Sequence, residues 1–143
     1  MGDEDGRIEA WAELVELHAR VTAEVDREVA AATGLGASEL RLLMVLAQEP
    51  RRMTELSVLL LLSRSGVTRL VRRMEEAGYV RREVPDDDRR TTFTLLTPAG
   101  RRSLRRATPV HRAAVARHFG RHLPERDAAA LRRVLGKVQK AFP

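Results

Sequence analysis

The sequence predicts a mainly α-helical chain with one small β-hairpin, and three observations carry that reading. Apolar residues recur at three- and four-residue spacing through most of its 143 residues. Strand-like runs are confined to two short stretches, Val80 to Val84 and Thr91 to Leu96. Between them lies a polar turn, Pro85-Asp86-Asp87-Asp88-Arg89-Arg90. The length suits a single domain over residues 1–143.

The elements follow in order. Ile8, Trp11, Val15, His18, Val21, Val25, Val29 and Ala32 predict a long first helix over 8–32, ended by Thr33-Gly34 and Gly36. A second helix covers about 37–48 before Pro50, and its centre, Leu42 to Leu46, is apolar nearly all round and therefore expected to be buried. Thr54 is the expected cap of a short third helix over 55–61. Ser63 is the expected cap of a fourth over 64–77, closed by Gly78. After the hairpin, Thr97-Pro98 reads as an N-cap with proline at the first helical position. This fifth helix runs to about His118, with Pro109 inside it. Leu123-Pro124-Glu125 opens a last helix with the stripe Leu131, Val134, Leu135, Val138 and Phe142. No internal repeat is present.

Composition narrows the function. Lys and Arg number 26 against 20 acids, a net charge of +6, which favours a polyanionic partner. With no cysteine, disulfides, thiolate metal sites and cysteine redox sensing are excluded. The acidic N-terminus carries no apolar h-region, and the longest apolar run, Val58 to Leu62, is too short to span a bilayer. A cytoplasmic location is the resulting expectation. An enzyme is not expected, because no Gly-rich phosphate loop and no carboxylate cluster on one helical face appears.

The fourth helix carries the chemistry. Val67, Leu70, Val71 and Met74 stand at i, i+3, i+4 and i+7 and predict a buried stripe. The opposite face shows Ser65, Thr68, Arg69 and Arg72, with Ser63 at the start and Arg64 and Arg73 on the flanks. Short hydroxyls reach base edges, and guanidiniums read guanine or grip phosphate. A short helix and a tight turn precede it, as a helix-turn-helix requires. The hairpin then places Asp88, Arg89 and Arg90 at a turn where a wing can carry an arginine into a minor groove. Asp88 is expected to hold Arg90 in position.

These stretches resemble the multiple antibiotic resistance regulator (MarR) family. The resemblance centres on LLLSRSGVTRLVRRMEEAGYVRRE, residues 60–83, and DDRRTTFTLLTPAG, residues 87–100, with Asp88, Arg90, Leu96, Thr97 and Gly100 in the wing pattern. It implies a winged helix-turn-helix lobe over 37–97 and dimerisation helices over 7–33 and 98–142. It further implies a homodimer on a pseudo-palindromic double-stranded DNA operator, acting as a repressor relieved by a small anionic or phenolic effector. Trp11, His18, Arg41 and His111 are the candidate lining of an effector pocket between the first, second and fifth helices. Two features depart from the family pattern. Val58 and Leu59 stand where polar residues are usual, and Arg72 stands where an aspartate is common.

His111, His118 and His122 fall on one stripe if the fifth helix extends that far. Some relatives sense zinc, but no acidic ligand shares the stripe, so a packing or interface role is expected and no metal or cofactor. The alternative to a regulator is a basic architectural or adaptor protein that binds nucleic acid without sequence preference. Retention of one site against excess random DNA separates the two.

Overall fold

The computed structural model describes residues 2–86 and 90–142. It has the expected mainly helical architecture with a small antiparallel sheet. The order is α1 (Gly2–Thr33), α2 (Ala37–Leu46), β1 (Arg51–Arg52), α3 (Met53–Leu59), α4 (Arg64–Glu76), β2 (Val80–Glu83), β3 (Phe93–Leu96), α5 (Pro98–His118), a 3₁₀ turn (Gly120–His122) and α6 (Glu125–Gln139).

The chain packs as two compact units. One contains residues 26–111, and the other contains 1–25 with 112–143. The first holds most of the core. Leu40, Leu42, Leu43 and Leu46 of α2, Leu56 of α3, and Val67, Leu70, Val71 and Met74 of α4 are all buried. Burying a side chain of this size contributes roughly 1.5–3 kcal/mol relative to leaving it in water. The apolar stripe of α4 therefore decides which way the helix faces.

The sheet has the order β1-β3-β2. Arg51 and Arg52 pair with Thr94 and Phe93, and Val80 to Glu83 pair with Leu96 to Phe93. Thr94 is fully buried, and its hydroxyl meets the Met53 sulfur at 3.6 Å.

The helix ends show why these segments stop where they do. The Ser63 hydroxyl accepts the Gly66 N–H at 3.1 Å, as an N-cap should. Gly34 and Gly78, just past α1 and α4, take φ of 75° and 76°, which glycine adopts without a Cβ penalty. Thr97 caps α5: its hydroxyl accepts the Gly100 N–H at 3.0 Å and donates to the Gly78 carbonyl at 2.6 Å. The Thr97 N–H also donates to the Tyr79 carbonyl.

Several expectations need correction. Thr54 is not a cap, because α3 begins at Met53 and the Glu55 carboxylate accepts the Arg52 N–H at 2.7 Å. The same device starts α2, where Glu39 accepts the Gly36 N–H at 2.9 Å. β1 is a strand that the sequence reading lacked. α1 starts at Gly2, earlier than expected. Phe142 lies beyond α6 and is exposed. His122 lies in the 3₁₀ turn rather than on α5, so His118 and His122 do not share one α-helical face. Among the described residues no three His, Cys, Asp or Glu side chains are grouped to hold a metal.

The turn between α3 and α4 contains Leu61 at φ 53°, a left-handed conformation rare for a branched side chain. Leu61 is 81% exposed, and Val58 is 71% exposed. In the other unit, Ile8, Trp11, Leu14, Val15 and Leu17 of α1 are exposed, as are Val134, Leu135 and Val138 of α6. A groove of about 280 Å³ runs between Leu14, Leu17 and His18 of α1, Val115 and Phe119, and Leu131 and Leu135 of α6. No single helix among the described residues is long and apolar enough to cross a membrane.

Gly100 is the tightest backbone approach. A methyl group there would overlap the Tyr79 carbonyl oxygen and lie 2.8 Å from Leu96 Cδ2. Gly100→Ala should therefore destabilise the fold by about 1–3 kcal/mol, the usual range for overpacking. Gly136→Ala, with open space at the Cβ position, should be neutral or slightly stabilising. Urea unfolding of both variants checks this. Equal midpoints for the two would refute the packing role of Gly100.

Candidate nucleic-acid interface

With Val67, Leu70, Val71 and Met74 turned inward, the other side of α4 faces solvent. Ser63, Arg64, Ser65, Thr68, Arg69, Arg72 and Arg73 are all exposed there. The sequence had gathered these residues by periodicity, and the fold brings them onto one helix and its cap. Their surroundings differ. Ser63 and Ser65 hydroxyls lie 3.2 Å apart, and the Thr68 hydroxyl donates to the Arg64 carbonyl at 2.9 Å. Arg72 pairs with Glu76 at 3.0 Å and Arg73 with Glu39 at 3.9 Å. Arg64 and Arg69 have no ion-pair partner among the described residues.

The helix borders a groove of about 390 Å³ lined by Arg64 and Thr68 of α4, Met53 and Thr54 of α3, Arg82 of β2, and Thr92. A second groove, about 350 Å³, is lined by Arg52, Met53, Thr54, Arg90, Thr91 and Thr92. The two share Met53, Thr54 and Thr92, so they form one channel from the start of α4 to the hairpin. Its polar groups are hydroxyls and guanidiniums, the donors that grip phosphate oxygens. Arg90 is exposed beside this channel. Asp88 and Arg89, assigned to the wing on sequence, lie outside the described residues.

Charge is distributed to match. Sixteen of the 26 cations and eleven of the 20 acids fall within 26–111, so five of the six excess positive charges belong to the unit that carries α4.

Sequence reasoning missed Arg52, Thr54, Arg82 and Thr92. Arg52 stacks over the Phe93 ring at 5.5 Å from its centre, within cation–π range. Arg82 is held by Glu75 of α4. Its Nε and Nη2 donate to Glu75 Oε2 at 3.0 and 2.6 Å, and its backbone N–H reaches Oε1 at 3.4 Å. These bonds fasten β2 to the C-terminal part of α4. Hydrogen bonds from Arg82 hold the Glu75 carboxyl below its ordinary value. The only signal in the sequence was a seven-residue separation across Gly78, which no local rule reads as a pair.

Of the candidate effector residues, His18 lines the groove on α1, and the Thr22 hydroxyl lies 3.5 Å from its Nε2. Trp11 is 66% exposed on α1. Arg41 and His111 belong to the other unit, where Arg41 donates to the Leu59 carbonyl at 3.4 Å.

A family model described as MarR family matches residues 33–91. A MarR family transcriptional regulator from Streptomyces coelicolor, solved in complex with DNA, is 30% identical, with a TM-score of 0.81 over 94% of this chain and 86% of that one. The chain belongs to the MarR family. It is a transcription regulator with a winged-helix fold, and it is not an enzyme. AbsC, another MarR family transcriptional regulator from Streptomyces coelicolor, is 28% identical, with a TM-score of 0.82 over 99% of this chain and 96% of its own. BldR, a transcriptional regulator from Sulfolobus solfataricus, is 23% identical and shares the fold, with a TM-score of 0.86 over 99% of this chain and 100% of its own. No curated protein sequence matches this MarR chain.

The Glu75–Arg82 pair makes a pH prediction. A carboxyl with a lowered folded-state pKa stabilises the fold above its unfolded value and loses that contribution as pH falls through the folded value. Both side chains are over one-third exposed, so solvent screening limits the pair to less than about 1 kcal/mol. Glu75→Gln should thus be slightly less stable than wild type at neutral pH. The difference should begin to shrink as pH drops below the ordinary 4.5 of the carboxyl and be lost as pH falls through its lowered folded value. Paired urea titrations from pH 7 through a descending acidic series check it, and a gap that stays constant or widens as pH falls through that series would count against the ion pair.

Proposed function

We propose that this MarR protein is a sequence-specific DNA-binding regulator in which α4 reads the major groove and the hairpin reaches the adjacent minor groove. The observation that carries this is the outward face of α4: seven hydroxyl and guanidinium residues with the apolar stripe fully turned away. In this reading Ser65, Thr68 and Arg69 meet base edges. Ser63, Arg64, Arg72 and Arg73 hold phosphates. Arg90, with Asp88 and Arg89, forms the wing contact. The channel through Thr54 and Thr92 seats the strand between the two grooves. The DNA complex of the Streptomyces coelicolor relative supports the assignment.

The protein works as a cytoplasmic homodimer on a pseudo-palindromic operator. The exposed large apolar residues of α1 and α6 support this, because so many in one unit favour cover by a partner. Family likeness supports repression relieved by a small anionic or phenolic effector, with Trp11, His18, Arg41 and His111 as candidate contacts.

Selection from random DNA should recover a two-fold site with half-sites about one helical turn apart. On that site Arg69→Ala and Thr68→Ala should relax base preference. Arg72→Ala should weaken all sequences alike and lower the salt slope by about one unit. A change in sequence preference with an intact salt slope for Arg72→Ala would overturn its phosphate role. A monomer by sedimentation, with full affinity for one half-site, would overturn the dimer.

A further inference from the structure

We propose that four arginines at the start of α5 form a second DNA-backbone surface, one that holds duplex flanking the site read by α4. This rests on the DNA-binding reading above. Arg101, Arg102, Arg105 and Arg106 stand at i, i+1, i+4 and i+5, all exposed, on one side of the first two turns. The side that packs is a different one, made of the buried Gly100, Ser103 and Ala107. The fold therefore does not need the guanidiniums.

Folding physics in fact disfavours them there. Like charges at i, i+4 repel, and this ladder contains two such pairs, Arg101 with Arg105 and Arg102 with Arg106. Arg101, at the close of the first turn, also opposes the positive end of the helix dipole. Among the described residues nothing offsets either effect. α5 contains no Asp or Glu from Pro98 to His118, and none of the four arginines has an acidic partner among the described residues. An unpaired, self-repelling ladder of this kind is stabilised by an external polyanion.

Position selects duplex DNA as that polyanion. Thr97 ties the start of α5 to the Gly78 and Tyr79 carbonyls, directly after the C-terminal end of α4. A recognition helix of 13 residues is roughly 20 Å long, longer than the major groove is wide, so its end emerges at the sugar-phosphate rim. The ladder begins at that end. Its four guanidiniums cover roughly 7–8 Å along the helix axis, a length that matches about two phosphates of one strand. These contacts carry no base information. They extend the footprint and steepen the salt dependence.

The test uses the full-length protein and two duplexes: the selected site trimmed to its core, and the same site with about ten more base pairs on each side. Wild type should bind the longer duplex on the order of tenfold tighter at low salt, with a steeper salt slope. The double variants Arg101→Ala/Arg105→Ala and Arg102→Ala/Arg106→Ala should each reduce that advantage, and the fourfold variant should abolish it. Affinity for the core duplex should stay near wild type. Thermal unfolding of the fourfold variant should match or exceed wild type, because the repulsion is gone and alanine favours helix. A wild type without length dependence, or a fourfold variant that keeps it, would overturn the proposal while leaving the α4 reading intact. A fourfold variant that keeps length dependence but dissociates more readily into monomers would instead assign the ladder to an acidic surface of a second copy, such as the Glu4, Asp5, Glu9 and Glu13 stretch of α1. A wild type that binds neither duplex would overturn both readings.

Discussion

The inward stripe of α4 is the constraint on which the site depends. Val67, Leu70, Val71 and Met74 are each at most 2% exposed. Rotating the helix by a third of a turn would bring these residues into water and drive arginines into the leucines of α2 and α3. Desolvating unpaired guanidiniums costs far more than any surface contact returns. The helix thus has one orientation, and in it every hydroxyl and guanidinium from Ser63 to Arg73 faces outward. No separate device is needed to present the reading face.

Second-order features hold that helix in register with the rest of its unit. Ser63 fixes its first turn, and Gly78 releases the chain after its last. Thr97 and Gly100 bring α5 back against the same release point, where only a hydrogen atom fits at the Cα of Gly100. The Glu75–Arg82 bonds tie β2, and through it β3, to α4. Hairpin and helix are consequently one mechanical piece, with the Thr54–Thr92 channel between them. The exposed Leu61 at positive φ sits in the turn that joins α3 to this piece, a conformation held by the Leu62 N–H bond to Ser57.

Much of this was legible in the sequence, for identifiable reasons. The α4 stripe follows from a 3.6-residue period, the caps at Ser63 and Thr97 from hydroxyls placed to accept a nearby free N–H, and the two hairpin strands from short strand-like runs bounded by turn residues, although the second begins at Phe93 and not at the expected Thr91. What escaped was either short or non-local. β1 is two residues long and exists only because β3 offers an edge. Glu55 caps α3 from three residues inside the helix, where the preference for Thr54 as a cap pointed elsewhere. Arg82 and Glu75 meet across a turn. The end of α5 at His118 is as expected, and the condition for a shared histidine stripe, a helix reaching His122, is not met. The channel residues Arg52, Thr54 and Thr92 come from three separate segments and no linear pattern unites them.

Backbone amide chemical shifts of the labelled protein, followed as the selected duplex is added, would show whether α4 and the channel are the surface that meets DNA. The largest changes should fall in residues 63–76 and in the channel residues 52–54 and 90–92, with α6 nearly silent. Changes concentrated in α1 and α6, with residues 63–76 unmoved, would contradict it.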